Sequence, residues 1–264
     1  MALTATYDPS LSRIKLGADT LGLSATYAVF DRTVNGGITY TTIRGGSHVT
    51  VASSAASVND YEFPVDVAIT YRVRSYNASN VLQTTFTVGV TQAQPDPWLK
   101  SVQRPFLNQQ IETSDASDVT HVNRSQVFPI VGRSLGVAVT DLSSQLNFEL
   151  SVATLTQGDA ADLLYLAKSG DIVFLHVPPA YPVPGGYYTV GDVKETRQNM
   201  PWELRWFTLP LTQVAQPGPD VIGTTYTISS MLAEYATVSA VIAGNTTTAD
   251  LLQRVAAPSE VLVP

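Results

Sequence analysis

Cysteine is absent from the 264 residues. That excludes disulfides, thiolate nucleophiles and cysteine-ligated zinc or iron–sulfur centres. Charge is scarce as well, at 14 % of residues, and its balance is acidic, with a net charge of −7. Lys and Arg are scattered without a basic run, so the electrostatic footprint of a nucleic-acid binder is missing, as is a basic membrane-surface patch. No apolar run reaches the roughly eighteen residues of a membrane-spanning helix. The opening Met1-Ala2-Leu3-Thr4 lacks the charged-then-apolar order of a signal peptide, and the chain is expected to begin its life in the cytosol, with no membrane anchor.

Catalytic motifs are missing too: there is no HExxH, G-x-S-x-G, P-loop or G-x-G-x-x-G. The three histidines, His48, His121 and His176, lie far apart and at no metal-ligand spacing. His176, inside an apolar run, reads as a packed residue. Asp115 and Asp118 lack the alternating oxygen ligands of a calcium loop. Glu195 and Glu203 flank Trp202 and Trp206, which allows an aromatic-lined sugar site. The plainer reading is exposed acids beside core-facing tryptophans. The expectation is therefore no enzyme, no cofactor and no metal.

What the chain does have is β-forming composition, with hydrophobic residues at 44 % punctuated by 17 Gly and 16 Pro. Residues 1–94 read as short strands between turns. In "ITYRVRSYN", Ile69, Tyr71, Val73 and Ser75 fall on one face and Thr70, Arg72, Arg74 and Tyr76 on the other. Asn77-Ala78-Ser79-Asn80 predicts a turn and "LQTTFTVGV" the returning strand. "ATYAVF", "GITYTTI" and "HVTVA" predict further strands, with a turn at Asn35-Gly36-Gly37. This spacing predicts a β-sandwich.

Residues 95–126 read as a Pro-rich linker and polar arm, because three prolines interrupt "TQAQPDPWLKSVQRPF" and the following "NQQIETSDASDVTHVNRSQ" is aperiodic. Trp98 is expected to dock against one of the two domains and is a candidate interface residue. Residues 127–217 predict a second β domain with one helix. The strand candidates are "VFPIVGRSLGVAVTD", "LNFELSVATL", "IVFLHV", "YYTVGDV" and "WELRWFTLPLTQV". The helix lies in "TQGDAADLLYLAKSG": Thr156 and Asp159 form a cap, Leu163, Leu164 and Ala167 an apolar stripe, and Gly170 a stop. The four prolines of "PPAYPVPGG" pre-set φ in either a binding loop or a stiff hairpin connection.

Residues 218–264 close the chain with a ten-residue period. Thr227, Thr237 and Thr247 align, as do Met231-Leu232, Val241-Ile242 and Leu251-Leu252. Each phrase reads as a Thr cap, two helical turns and a break, with the apolar pairs covering a neighbouring surface. A single amphipathic helix over 228–243, or coincidence in an Ala- and Thr-rich tail, is the other reading.

Two resemblances follow. "DYEFPVDVAITYRVRSYNASNVL" is similar to the last third of a fibronectin type III-like domain, with Tyr71 placed where such domains set a corner tyrosine. There is no Trp before Trp98, where many such sandwiches bury one. The ordered phrases Val131-Gly132-Arg133-Ser134, "GDIVFLHVPP", "YYTVGDVKETR" and Leu209-Pro210-Leu211, with "PWLKSVQRP" before them and Tyr235-Ala236-Thr237 after, resemble minor tail or distal tail proteins of long non-contractile-tailed bacteriophages infecting actinobacteria. That resemblance implies a β-sandwich or split barrel with one helix, forming a hexameric ring at the virion tail tip. Its implied partners are the tail tube protein, the tape measure protein and the tail-tip hub proteins. A fibronectin-like domain in first place departs from the better-known distal tail proteins, which carry their extra domain after the ring-forming one. The alternative function is a peripheral tail protein or carbohydrate-binding module, contacting cell-wall glycan through Trp202 and Trp206.

Overall fold

A computed structural model describes residues 3–121, 125–129, 131, 134–135, 137–139, 145–197 and 203–219. The protein is mainly β, with one α-helix among the described residues. Its buried apolar side chains form two clusters, one from residues up to Val73 and one from Leu99 onward. The parts around them are called here the first and second units.

The first unit contains β1 (Leu3–Asp8), β2 (Arg13–Ala18), β3 (Ala25–Thr33), β4 (Thr41–Thr42), β5 (Val49–Thr50), β6 (Ala56–Asp60), β7 (Ala68–Asn77) and β8 (Leu82–Thr91). One sheet has the order β1-β2-β6; the other runs β4-β3-β7-β8, with β5 also on β3. Ile14 and Leu16 of the first sheet pack with Phe30, Tyr71 and Val73 of the second, all almost fully buried. In β7 the alternation holds: Ile69, Tyr71, Val73 and Ser75 are buried, while Thr70, Arg72, Arg74 and Tyr76 are partly exposed. Asn80 takes the turn with φ 59°, a conformation Asn tolerates better than most residues. "GITYTTI" supplies only the two residues of β4. Gly36 and Gly37 have φ of 70° and 92°, and the Asn35 side chain accepts from the Thr39 amide, so a side-chain-stabilised turn replaces most of that strand.

The second unit comprises β9 (Trp98–Ser101), β10 (Gln109–Gln110), β11 (Glu112–Ala116), β12 (Thr120–His121), β13 (Gln126–Phe128), β14 (Val137–Val139), β15 (Leu146–Thr154), α1 (Gln157–Lys168), β16 (Val173–His176), β17 (Gly186–Val190), β18 (Lys194–Arg197) and β19 (Arg205–Gln213). Nine of these strands form one curled sheet in the order β10-β9-β16-β17-β19-β15-β11, with β12 on β15 and β18 on β19. The stretch read as linker and arm therefore belongs to the sheet. All four residues of β9 are buried, and β11 and β12 take the free side of β15. A polar edge strand needs hydrogen bonds to its neighbour more than an apolar face, so its composition resembles a loop.

Leu150 and Val152 of β15 and Phe207, Leu209 and Leu211 of β19 point into one core, covered by Ala160, Leu163 and Leu166 of α1. Full burial of a Leu or Phe contributes about 1.5–3 kcal/mol. Pro210 sits mid-strand without breaking the sheet. β18 pairs with Arg205–Thr208 and β17 with Leu211–Gln213, so the missing amide falls where the partner changes. Helix α1 begins as expected, with the Asp159 amide donating to Thr156 Oγ1 at 3.1 Å and Thr156 Oγ1 donating to Asp159 Oδ2 at 2.7 Å. Gly170, at φ 73°, follows its end. Thr156→Ala is expected to lower the unfolding free energy by about 1 kcal/mol, read by urea denaturation. A change below a few tenths would mean that packing alone fixes the helix start.

Candidate functional site at the junction of the two units

Three charged groups are withdrawn from water at or near the boundary between the units. The first lies inside the first unit. Arg32, on β3, donates through Nη1 to both oxygens of Asp60 at 2.7 and 2.6 Å, and Tyr71 donates its hydroxyl to Asp60 Oδ2 at 2.9 Å. The Glu62 amide adds a bond to Asp60 Oδ1 at 3.0 Å. Burial, reinforced by the Asp60 carboxylate, holds the Tyr71 hydroxyl far above the usual phenol range. A carboxylate surrounded by these donors fixes the end of β6 against β3 and β7.

Two residues on, Glu62 reaches the second unit. Arg44 donates to it through Nε at 2.7 Å, and Tyr187 of β17 donates its hydroxyl to Glu62 Oε2 at 2.7 Å. Burial first, then the Glu62 charge, raises the Tyr187 hydroxyl above its ordinary range. Arg44 also donates to the carbonyls of Gly218 and Pro217 at 2.6 and 3.2 Å. The segment after β19 is thereby tied back onto the first unit.

The third group is Lys100 in β9, whose side chain is almost wholly buried. Its Nζ lies 2.6 Å from the Ser12 carbonyl, 3.0 Å from Ser12 Oγ, 2.8 Å from the Tyr61 carbonyl and 2.7 Å from His176 Nδ1. Ser12 Oγ donates in turn to Gln94 Oε1, and Gln94 Nε2 donates to the His176 carbonyl at 3.2 Å. Ser12 and Tyr61 belong to the first unit, Lys100 and His176 to the second, and Gln94 to the connection. The ring of bonds therefore closes across the boundary. Phe63 stands edge-on to His176, with centroids 4.7 Å apart and planes at 80°. Burial pushes Lys100 down to about 7 against the pull of Asp60 and Glu62. Burial and the Lys100 charge push His176 well below its ordinary range.

Beside these groups runs a cleft of ≈ 450 Å³ whose walls include Arg44, Tyr61, Glu62, Lys100, Phe106 and Phe174. Its two sides come from different units. What this arrangement does physically is fix orientation: each buried charge is satisfied by a partner on another element, and Glu62 and Lys100 find theirs across the boundary. Rotation of one unit would strand a buried ion, at a cost of several kcal/mol.

Of the residues singled out in the sequence, His176 and Tyr71 belong to these groups, and the others do not. Trp98 is buried within β9, opposite His176, so the surface it docks on is internal to the chain. Trp206 on β19 is half-buried, and its indole nitrogen has no hydrogen-bond partner. Trp202, Met231, Leu232, Val241, Ile242, Leu251 and Leu252 lie outside the described residues. Glu195 is ion-paired with Arg197 at 2.9 Å and Arg205 at 3.1 Å. The hydrogen bond from Arg197 leads in holding it below the usual carboxylate range, and a raised value is what a general acid needs. His48 stacks on Tyr27, centroids 4.1 Å apart, and Tyr27 on Tyr76 at 5.2 Å; His121 is on the exposed β12. Among the described residues no group of three or more His, Asp or Glu is placed to hold a metal ion. Nor is any described helix long and apolar enough to cross a membrane.

Sequence reasoning missed Lys100, Arg32 and Asp60. Charged residues inside apolar strands were the available signal, as in "VFDRT", where Asp31 and Arg32 follow Phe30. The partners 28, 39, 76 and 88 residues away were not readable. The chain matches no protein-family model and no curated protein.

Proposed function

We propose that this protein is a structural component of a bacteriophage tail tip, assembling through copies of itself into a ring between tail tube and host-recognition hub. The observation that carries the reading is the hairpin of β13 and β14. These strands pair with each other and with no other strand among the described residues. Val127, Phe128, Val131, Leu135, Val137 and Val139 on and between them are 43–102 % exposed. An isolated two-stranded hairpin is marginal in water, and a cluster of exposed apolar residues marks a protein-binding surface. A neighbouring subunit would supply both the missing partner and the cover.

The rest of the fold agrees in kind. A fibronectin type III-like first domain is supported by the strand order β1-β2-β6 facing β4-β3-β7-β8. A distal-tail-like second domain is supported by a curled sheet backed by one helix. The polar junction would hold both at a fixed angle, which a repeating ring requires. A second reading, a peripheral glycan-binding tail protein, rests on half-buried Trp206 beside the ion-paired Glu195 and Arg205.

Light scattering of the purified chain tests the ring. A discrete ring-sized oligomer is expected, collapsing to monomer in Phe128→Asp/Val137→Asp with its far-UV circular dichroism unchanged. Removal of residues 227–264 asks separately whether the ten-residue phrases act as a clasp. A monomer at every concentration, combined with retardation by soluble cell-wall glycan, would replace the ring with the second reading.

A further inference from the structure

We propose that the Lys100–His176 contact is a proton-counting latch that holds the two units in one orientation at neutral pH and releases them in acid. The inference rests on the junction alone and does not need the tail-tip reading. Lys100 Nζ and His176 Nδ1 are 2.7 Å apart, a distance that accommodates one bridging proton. Either the amine donates to the ring nitrogen or the ring donates to the amine. A second proton makes both atoms donors, aimed at each other, with no acceptor between them.

The surroundings offer no escape. Lys100 already spans the Ser12 and Tyr61 carbonyls, so the amine cannot swing away without leaving the first unit. His176 Nε2 is buried without a hydrogen-bond partner, and although the Phe63 backbone favours a charged ring, burial and the Lys100 charge outweigh it. The ionisable groups around the pair divide by element. Asp60 and Glu62, from the end of β6 and just beyond it, favour charge on Lys100. Arg32 of β3 opposes charge on His176. Tyr61 meets Lys100 only through its carbonyl, and Tyr71 and Tyr187 give their hydroxyls to Asp60 and Glu62. Each carboxylate is thus engaged and neither contacts His176 in a hydrogen bond. The second proton goes unneutralised, and the docked form resists it.

The sign follows. Released chain takes up a proton on His176 as the pH falls through its ordinary value of 6.5, whereas the docked form holds His176 well below that value. Below about pH 6.5 the released form binds more protons, and docking weakens. Lys100 acts in the same sense at higher pH. Released, it keeps its proton up to 10.5; docked, only to about 7, so docking strengthens across that interval.

Trp98, buried in β9 and opposite His176 in the ladder, reports on the junction. In a Trp202→Phe/Trp206→Phe background, acrylamide quenching of Trp98 is expected to rise at least threefold between pH 7.5 and pH 5. The far-UV circular dichroism should stay unchanged over that range. His176→Gln keeps an acceptor for Lys100 but cannot take the second proton, and its quenching should stay flat. Lys100→Met removes the facing base but leaves His176 buried, so it should reduce the rise without abolishing it, and it serves if the Gln variant does not fold. A flat wild-type profile, an equal rise in both variants, or loss of the sheet signal over the same pH range would each overturn the latch.

Discussion

Asp60→Ala is expected to lower the unfolding free energy by about 3–5 kcal/mol, the cost of leaving a buried charge without its partner. Asp60 is 3 % exposed, and Arg32, which depends on it, 15 %. Removing the carboxylate takes both acceptors from the Arg32 Nη1 group, frees the Tyr71 hydroxyl and unties the Glu62 amide. Tyr71→Phe removes only one donor and leaves the ion pair in place, so its loss is expected to be about 1–2 kcal/mol. Urea unfolding followed by circular dichroism separates the two, because similar slopes allow the midpoints to be compared. If Asp60→Ala were no worse than Tyr71→Phe, water would be reaching Arg32 and the burial argument would fail. The Ala variant should also loosen the junction, since Asp60 and Glu62 lie two residues apart and Glu62 holds Arg44 and Tyr187.

Legibility in the sequence followed the range of the interactions. Helix α1 was readable because its cap, apolar stripe and terminal glycine all lie within fifteen consecutive residues, 156–170. Strand β7 was readable because its alternation spans ten residues with one face buried. Strand β9 was not. Its four residues are buried on both faces, and Pro95, Pro97 and Pro105 around it signal a linker. Proline forbids a ladder bond only at its own position, and here it stands outside the strand. The edge strands β11 and β12 carried no apolar face to read, since β15 supplies what they need through backbone bonds.

The candidate site was the least legible part. Lys100 looks in sequence like any surface lysine, and its burial follows from where Ser12, Tyr61 and His176 meet it. His176 was placed correctly as a packed residue, yet its contact with a second base could not be read from "IVFLHV". Sequence exposes periodicity and local chemistry. A buried charge is a property of the assembled junction.

Tyr188→Ala is expected to cost about 3–5 kcal/mol, comparable to truncating a buried Phe. The residue is fully buried at the centre of the second core, edge-on to Phe148 with centroids 5.3 Å apart and planes at 84°. Its hydroxyl donates to the Pro184 carbonyl at 2.7 Å, so the same ring fills the core and anchors the proline-rich loop between β16 and β17. Tyr188→Phe keeps the ring and removes that one bond, an expected loss of about 1 kcal/mol. The pair thereby separates packing from anchoring. Burial pushes the Tyr188 hydroxyl up to about 12, from an ordinary 10.0. Between those values the unfolded chain has released the proton and the folded chain retains it, so this stabilisation is lost as the pH rises through about 12. Tyr188→Phe should consequently show a shallower alkaline decline than the wild type, although Tyr71 and Tyr187 contribute in the same direction. Equal losses in Tyr188→Ala and Tyr188→Phe would mean that the core closes over the missing ring. The loop would then be held by its four prolines, Pro178, Pro179, Pro182 and Pro184, without the anchor.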